Sequence, residues 1–404
     1  MFTLYSLTSD LHSEAPLTAS QEAFIKSVEK AVGAPFTHKD SDFSSYDKTE
    51  NNIIYVRTGG TEGIFKSIFR PDGRPIRLLT SGKSNSLAAS MEILSYLNQR
   101  GYPAEILHGN AEEIARRLIA GFIPVTSSHT RDYDFGKVLE GKRVGVIGRP
   151  SDWLISSNVD YSVAKERLGV ELVDVSIEEL IEELEDCART PDRKYLEGLN
   201  LAPLNAPKYG RELTQSTLDQ ALDIYCALKA LVAKYSLNGL SLRCFDLLTS
   251  LHNTGCLALA LLNSEGIVAT CEGDVPTLLT MCVAREKFGT PGFQANLSEI
   301  DGSRMLFAHC TVPLNLTESY CFDTHFESGI GIAIHGTLPT GPAKILKISP
   351  DCSKMFFEDI RITDNPYGDN LCRTQIHVDA PGLADYFLRE PIGNHHVIIP
   401  HHGI

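Results

Sequence analysis

Through the first 300 residues, short apolar runs alternate with stretches in which apolar positions recur every three or four residues. Asn52–Val56 (NIIYV) and Ile76–Thr80 (IRLLT) are too short for helices and rich in branched residues, so they predict buried strands. A glycine-rich turn, RTGGTE, follows the first of them. Leu87, Met91, Ile93, Leu94 and Leu97 give Ser86–Arg100 a helical face, and Gly101 supplies the stop. The pattern restarts at KVLEGKRVGVIG with a strand at Val144–Ile147, which puts a boundary near residue 140. Ser176 and Glu179 form a capping box before the face made by Ile177, Leu180, Ile181 and Leu184. Pro203–Arg211 reads as a loop, and a long amphipathic helix follows from about Leu218 to Tyr235, with Gly239 as its stop. Strand LSLRCF, helix TGCLALALLNSEG, strand IVATC, helix VPTLLTMCVAREKFG and a short strand GFQAN complete this part. Such alternation of strand and helix predicts parallel sheets.

After about residue 300 the apolar period shortens from 3.6 to 2. RMLFAHCTV, GIGIAI, AKILKIS, KMFFEDIRITD and HHVIIP read as strands separated by Gly, Pro, Asp and Asn turns. The expected fold is therefore α/β plus β. A Rossmann-like α/β domain spans 1–140, and a second at 141–300 carries Glu272 and Asn296. A C-terminal antiparallel β-barrel or sandwich at 301–404 carries His309 and His395.

Composition removes several function classes. The 404 residues carry 37 Lys+Arg against 51 Asp+Glu, a net charge of −14, with no basic block longer than a pair. That balance argues against nucleic acid and anionic membrane surfaces as partners. A hydrophobic content of 43% excludes global disorder. The N-terminal stretch lacks the basic and apolar regions of a signal peptide, and no window resembles a transmembrane helix. Ten cysteines without a CxxC pair predict reduced thiols in a cytoplasmic protein, with neither a disulfide framework nor structural zinc. TSGKSNS fails as a phosphate loop because Arg77 stands where the first glycine is required, and GVIGRP lacks dinucleotide-loop spacing. HExxH and GxSxG motifs are absent from the sequence.

The stretch that carries chemistry is ATCEGDVP, where Glu272 and Asp274 follow a short strand and precede a helix that Pro276 can open. Strand ends are where α/β sheets present ligand-binding groups. GFQAN brings Asn296 to a neighbouring strand, LFAHCTVP carries His309, and GNHH carries Asn394 and His395. A carboxylate, an amide and two imidazoles at a domain junction suit a divalent cation such as Mn²⁺.

TCEGDVP, GFQAN, LFAHCTVPL and GNHH, in that order, resemble the L-fucose isomerase and L-arabinose isomerase superfamily; RTGGTE, GRPSDWLI and LRCFDLL are similar to segments of its fucose-isomerase-like members. The resemblance implies an aldose–ketose isomerase that moves a proton between adjacent carbons through an ene-diol, with a metal at the site and a homo-oligomeric assembly. By position, Glu272 would be a metal ligand and acid/base, His395 a ligand from the opposing domain, and His309 the arabinose-type histidine. Asn296 departs from the pattern, since the fucose type has its second carboxylate there and an amide is no base. Asp274 and Asp301 are the candidates to replace it. Arg57, Arg243, Asn394 and Trp153 are candidates for substrate contact, the arginines pairing with an anionic end or forming structural ion pairs. A monosaccharide is the expected partner, free, deoxy or anionic. A sugar-binding protein without catalysis, an epimerase and a lyase are the alternatives.

Overall fold

A computed structural model describes residues 2–9, 14–124, 128–186 and 213–401; Cys187 and the loop expected at Pro203–Arg211 lie outside them. The chain opens with β1 (Thr3–Leu7), α1 (Glu14–Val32), β2 (Thr37–Asp40), β3 (Asn52–Val56) and α2 (Glu62–Ile68). β4 (Ile76–Leu79), α3 (Ser86–Asn98), β5 (Ala104–Leu107) and α4 (Ala111–Ala120) follow. The five strands form a parallel sheet in the order β2-β1-β3-β4-β5. Ile53, Ile54, Val56, Leu78 and Leu79 are fully buried, because helices cover both faces and both alternating sets of side chains turn inward. The chain steps outward from β1 to β2 and then returns to the far side of β1, so the topological switch lies between β1 and β3.

β6 (Thr130–Asp132) is followed by the second α/β unit. Its elements are β7 (Arg143–Ile147), α5 (Tyr161–Leu168), β8 (Glu171–Val175), α6 (Ile177–Asp186), α7 (Gln215–Tyr235) and β9 (Gly239–Leu242). α8 (Asp246–Ser250), α9 (Cys256–Ser264), β10 (Val268–Cys271) and α10 (Val275–Phe288) complete it. The order β10-β9-β7-β8, all parallel, repeats the topology of the first sheet with the switch between β7 and β9. α7 ends on Ser236 in the left-handed region rather than at Gly239, which instead opens β9.

The remaining elements are β11 (Phe293–Asp301), β12 (Arg304–His309), β13 (Ser319–Asp323), β14 (Ala333–Thr337), β15 (Gly341–Ile348) and β16 (Lys354–Asp364). β17 (Thr374–Asp379), α11 (Ala384–Arg389) and β18 (His395–Pro400) close the chain. An antiparallel sheet runs β15-β18-β11-β12-β17-β16-β6, with β15 also paired to β16, and β13 and β14 form a separate ribbon. One expectation is corrected here. GFQAN is not a strand beside β10; it opens β11, which pairs with β12 and β18. Phe293, Ala295 and Leu297 show the alternation of the strands that follow, but the five residues GFQAN were too few to reveal it. The polar TRD of β6, from the N-terminal third, pairs with β16 in this sheet. The nine described cysteines are free thiols, eight of them buried. Among the described residues, no helix is long and apolar enough to cross a membrane.

Candidate functional site

Three local structures bring the site together. β10 ends at Cys271, and the chain turns into α10 through Glu272 (φ 66°) and Gly273 (φ 68°), both left-handed. A side chain at position 273 would meet the Arg149 carbonyl oxygen at 2.5 Å, so only glycine fits. For Glu272 the left-handed conformation costs on the order of 1 kcal/mol. It is held because the Ser151 N–H donates to the Glu272 carbonyl (2.9 Å) and the Gly273 N–H donates to that of Leu242 (3.0 Å). Glu272 is thereby turned toward a cavity between the three sheets. The second structure is the register of β11 and β18, which sets Asn296 directly opposite His395, so both side chains lie on one face. His309 is the third contributor, at the last residue of β12, whose Ala308 also faces Asn296.

Glu272, His309 and His395 are all buried, and one ligand atom from each lies within 4.8 Å of the others. Trp153 Nε1 donates to Glu272 Oε2 at 2.6 Å. His395 Nδ1 donates to Asp274 Oδ2 at 2.8 Å, which leaves Nε2 facing inward. That nitrogen stands 3.4 Å from Glu272 Oε1, close enough for charge attraction, yet it makes no hydrogen bond of acceptable geometry. The Asn296 and Asn394 Oδ1 atoms are likewise buried without a partner. Each of these unpartnered buried atoms would cost about 1–3 kcal/mol if no ligand met it. The carboxylate and two imidazoles are a donor set that could hold a divalent cation.

Asp274 is spent on support. Its carboxylate caps α10 through the Thr277 N–H (2.8 Å) and faces Lys347 Nζ at 3.4 Å, with all three side chains buried. Burial raises the Asp274 pKa, but Lys347 and the His395 hydrogen bond outweigh it and hold the group well below the carboxylate range. An ionised Asp274 in turn fixes the proton of His395 on Nδ1, the support a metal-binding histidine usually has. Burial lowers the His395 pKa, but Glu272 and Asp274 override it and push it up to about 9. For Glu272, burial again works upward and the two histidines, chiefly His395, bring it below its usual value. His309, which bonds Thr311 Oγ1 through Nδ1 (2.9 Å), is lowered by burial and the His395 charge to about 4.

These shifts set a pH profile for the metal-free protein. The His395 contribution to stability is fully present below its unfolded pKa of about 6.5 and is lost as pH rises through about 9. Those of Glu272 and Asp274 are present above the ordinary carboxylate range and are lost as pH falls. Thermal midpoints in chelator should therefore be highest between the ordinary carboxylate range and about pH 6.5, and fall toward both ends. In the Asp274→Asn variant, where His395 is raised less, the alkaline fall should be smaller and should end at lower pH.

The cavity also gathers residues that the sequence did not single out: Glu62, Asn85, Phe245, His325 and Glu327 line it with Trp153, Asn296 and Asn394. Glu62 stands in RTGGTE, so the glycine-rich turn was a usable signal; Glu327 had none. Asp301 is not brought here. It is exposed at the β11–β12 turn, paired in register with Arg304. Arg57 faces a different cleft, on the N-terminal sheet, bonded to Gln21 and Thr8. Arg243 is locked between Asp246 (2.9 Å), Asp152 (2.8 Å) and the Pro150 carbonyl (2.6 Å), the ion-pair reading of that residue.

Comparison with known proteins gives weak, partial likenesses. The chain is 23% identical over 230 residues to a sulfoquinovose isomerase of Alkalicoccus urumqiensis, covering 56% of this chain and 49% of that protein. It is 23% identical over 278 residues to a sulfoquinovose isomerase of Priestia aryabhattai, covering 66% and 59%. The match thus spans only half to three fifths of those relatives' length. No protein-family model matches the chain.

Proposed function

We propose that this protein is a metal-dependent aldose–ketose isomerase acting on a monosaccharide, with Glu272, His309, His395 and the Asn296 amide holding a Mn²⁺-type cation. The observation that carries the reading is the convergence of Glu272, His309 and His395 beside three unpartnered buried atoms, in a cavity walled by all three sheets. The likeness to sulfoquinovose isomerases supports the same chemistry and places an anionic sulfo-sugar among the substrates to try. The family resemblance adds a homo-oligomer and a cytoplasmic setting to the reading, and the ring of pairings through β15, β18, β11, β12, β17 and β16 reads as a closed barrel.

When bound, the cation would polarise the carbonyl and stabilise negative charge on the adjacent oxygens. The protein's own groups do the rest. The Glu272 carboxylate, aimed by Trp153, takes the proton from one carbon and returns it to its neighbour. Asp274 keeps His395 in one tautomer, and Asn394 offers its free amide oxygen to a sugar hydroxyl. Trp153 and Phe245, packed edge to face at 4.8 Å, wall off the reacting carbons from water.

Protein loaded with Mn²⁺ should bind one ion per chain and catalyse exchange of the C2 proton of one sugar in a panel. The panel holds free aldoses, deoxy sugars and sulfoquinovose, followed by NMR in D₂O. Metal-loaded protein that exchanges no sugar overturns the reading. Binding without exchange selects a non-catalytic sugar-binding protein, which Asn296 in place of a carboxylate favours. A product other than the ketose selects epimerisation or aldol cleavage.

A further inference from the structure

Asn296 leaves the site one proton-transfer group short, and neither aspartate suggested by the sequence supplies it. Asp274 is ionised and held by Lys347 and His395, while Asp301 is exposed at a turn. The N-terminal unit offers a different carboxyl. Glu62 is the first residue of α2, reached through the RTGG turn that leaves β3 at the topological switch point of the first sheet. Doubly wound sheets bind ligands at that place. The side chain is 2% exposed and lines the same cavity as Glu272, and its Oε2 atom has no hydrogen-bond partner.

Extending the isomerase reading above, on which the inference rests, we propose that Glu62 is the second proton-transfer carboxyl of this site. A buried carboxyl with a free oxygen carries a desolvation penalty that a ligand hydroxyl would remove. Burial first, then repulsion from Glu92, Glu272 and Glu327, raises its pKa well above the usual range, so it stands ready as an acid. Glu327 is the nearest rival, but its Oε1 already accepts from Asn85 Nδ2 at 2.7 Å.

The proton count closes. As the C2–H bond breaks and its proton passes to the Glu272 carboxylate, the Glu62 carboxyl gives its proton to O1 of the former aldehyde. The C2 electron pair forms the C1=C2 double bond of the ene-diol, and the C1=O π pair forms the new O1–H bond. Glu62, now a carboxylate, takes the proton from O2. The C2=O bond forms as the double bond's electron pair takes the proton back from Glu272 at C1. Both carboxyls end as they began, and aldose has become ketose without any other reactant.

The test uses the full chain loaded with Mn²⁺ and whichever sugar of the panel the wild type turns over. Glu62→Gln should lower kcat by about 100-fold or more and remove one limb of the pH profile of kcat/KM. Mn²⁺ affinity, read from the fluorescence of Trp153, the sole tryptophan, should stay within about threefold of wild type. Glu62→Asp, which keeps an acid, should recover part of the rate, and Glu327→Gln should cost less than Glu62→Gln. Thermal midpoints check folding, and Glu62→Asp serves alone if Glu62→Gln does not fold, its shifted pH limb then being the readout. Wild-type turnover with Glu62→Gln unimpaired, or with Glu327→Gln the more damaging change, overturns the inference and leaves the isomerase reading standing. A wild type that isomerises no sugar overturns both.

Discussion

On the proposed isomerase reading, Glu272→Gln is expected to abolish isomerisation, lowering kcat/KM by about 10³-fold or more, and to remove the bound divalent cation, while the fold survives. The substitution keeps the shape of the side chain, and an amide oxygen can still accept from Trp153 Nε1. What it removes is the negative charge beside His395 and the oxygen that would bind a cation and carry a proton. Without that charge the His395 pKa, now raised chiefly against burial by Glu272, should drop toward neutrality. Metal analysis after dialysis and proton exchange with the wild-type substrate check both halves. A variant that keeps its metal and its exchange would show that the cluster is not the reaction centre.

Lys347→Met is expected to be the most damaging change to stability. Lys347 is wholly buried on β15, its ammonium 2.5 Å from Thr277 Oγ1 and 3.4 Å from Asp274 Oδ2, with no exposure of either charge. Burial lowers the Lys347 pKa, and Asp274 and Glu92 oppose that fall. Removing the cation leaves Asp274 ionised in a dry interior beside Glu92, which burial already pushes up to about 7. Stranding one partner of a buried pair costs about 3–5 kcal/mol, so urea and thermal midpoints should fall markedly. The double variant Lys347→Met/Asp274→Asn should regain much of that stability, because no charge is then stranded, while metal affinity stays about 10–100-fold down for want of the group that orients His395. Equal stability of the single variant and wild type would refute this account of the network.

Periodicity carried far where burial is a property of one element. NIIYV was legible as a strand residue for residue, because a run buried on both faces needs no partner to be recognised. α3 shows the other side: its spacing suggests one apolar face, yet Ser86 through Ser95 are all buried, because β11 packs on the helix as well as the strands of the first sheet. That is also why the spacing gave no sign of Glu92, which is buried and accepts the Ser156 N–H at 2.7 Å. Lys347 was hidden in the same way within AKILKIS, since alternation does not say that both faces of this strand end are covered.

By itself the sequence determined individual strands and helices such as β3 and α3, the change from 3.6 to 2 in apolar period, and a carboxylate at the end of β10, because each depends on neighbours along the chain. Only the tertiary structure decided what each acidic group can do. Asp274 is held ionised by Lys347 and His395, far away in sequence, whereas Glu62 is left with a free oxygen in the cavity of Glu272. Charge state and partners follow from which surfaces exclude water together, and in this protein those surfaces come from three separate sheets.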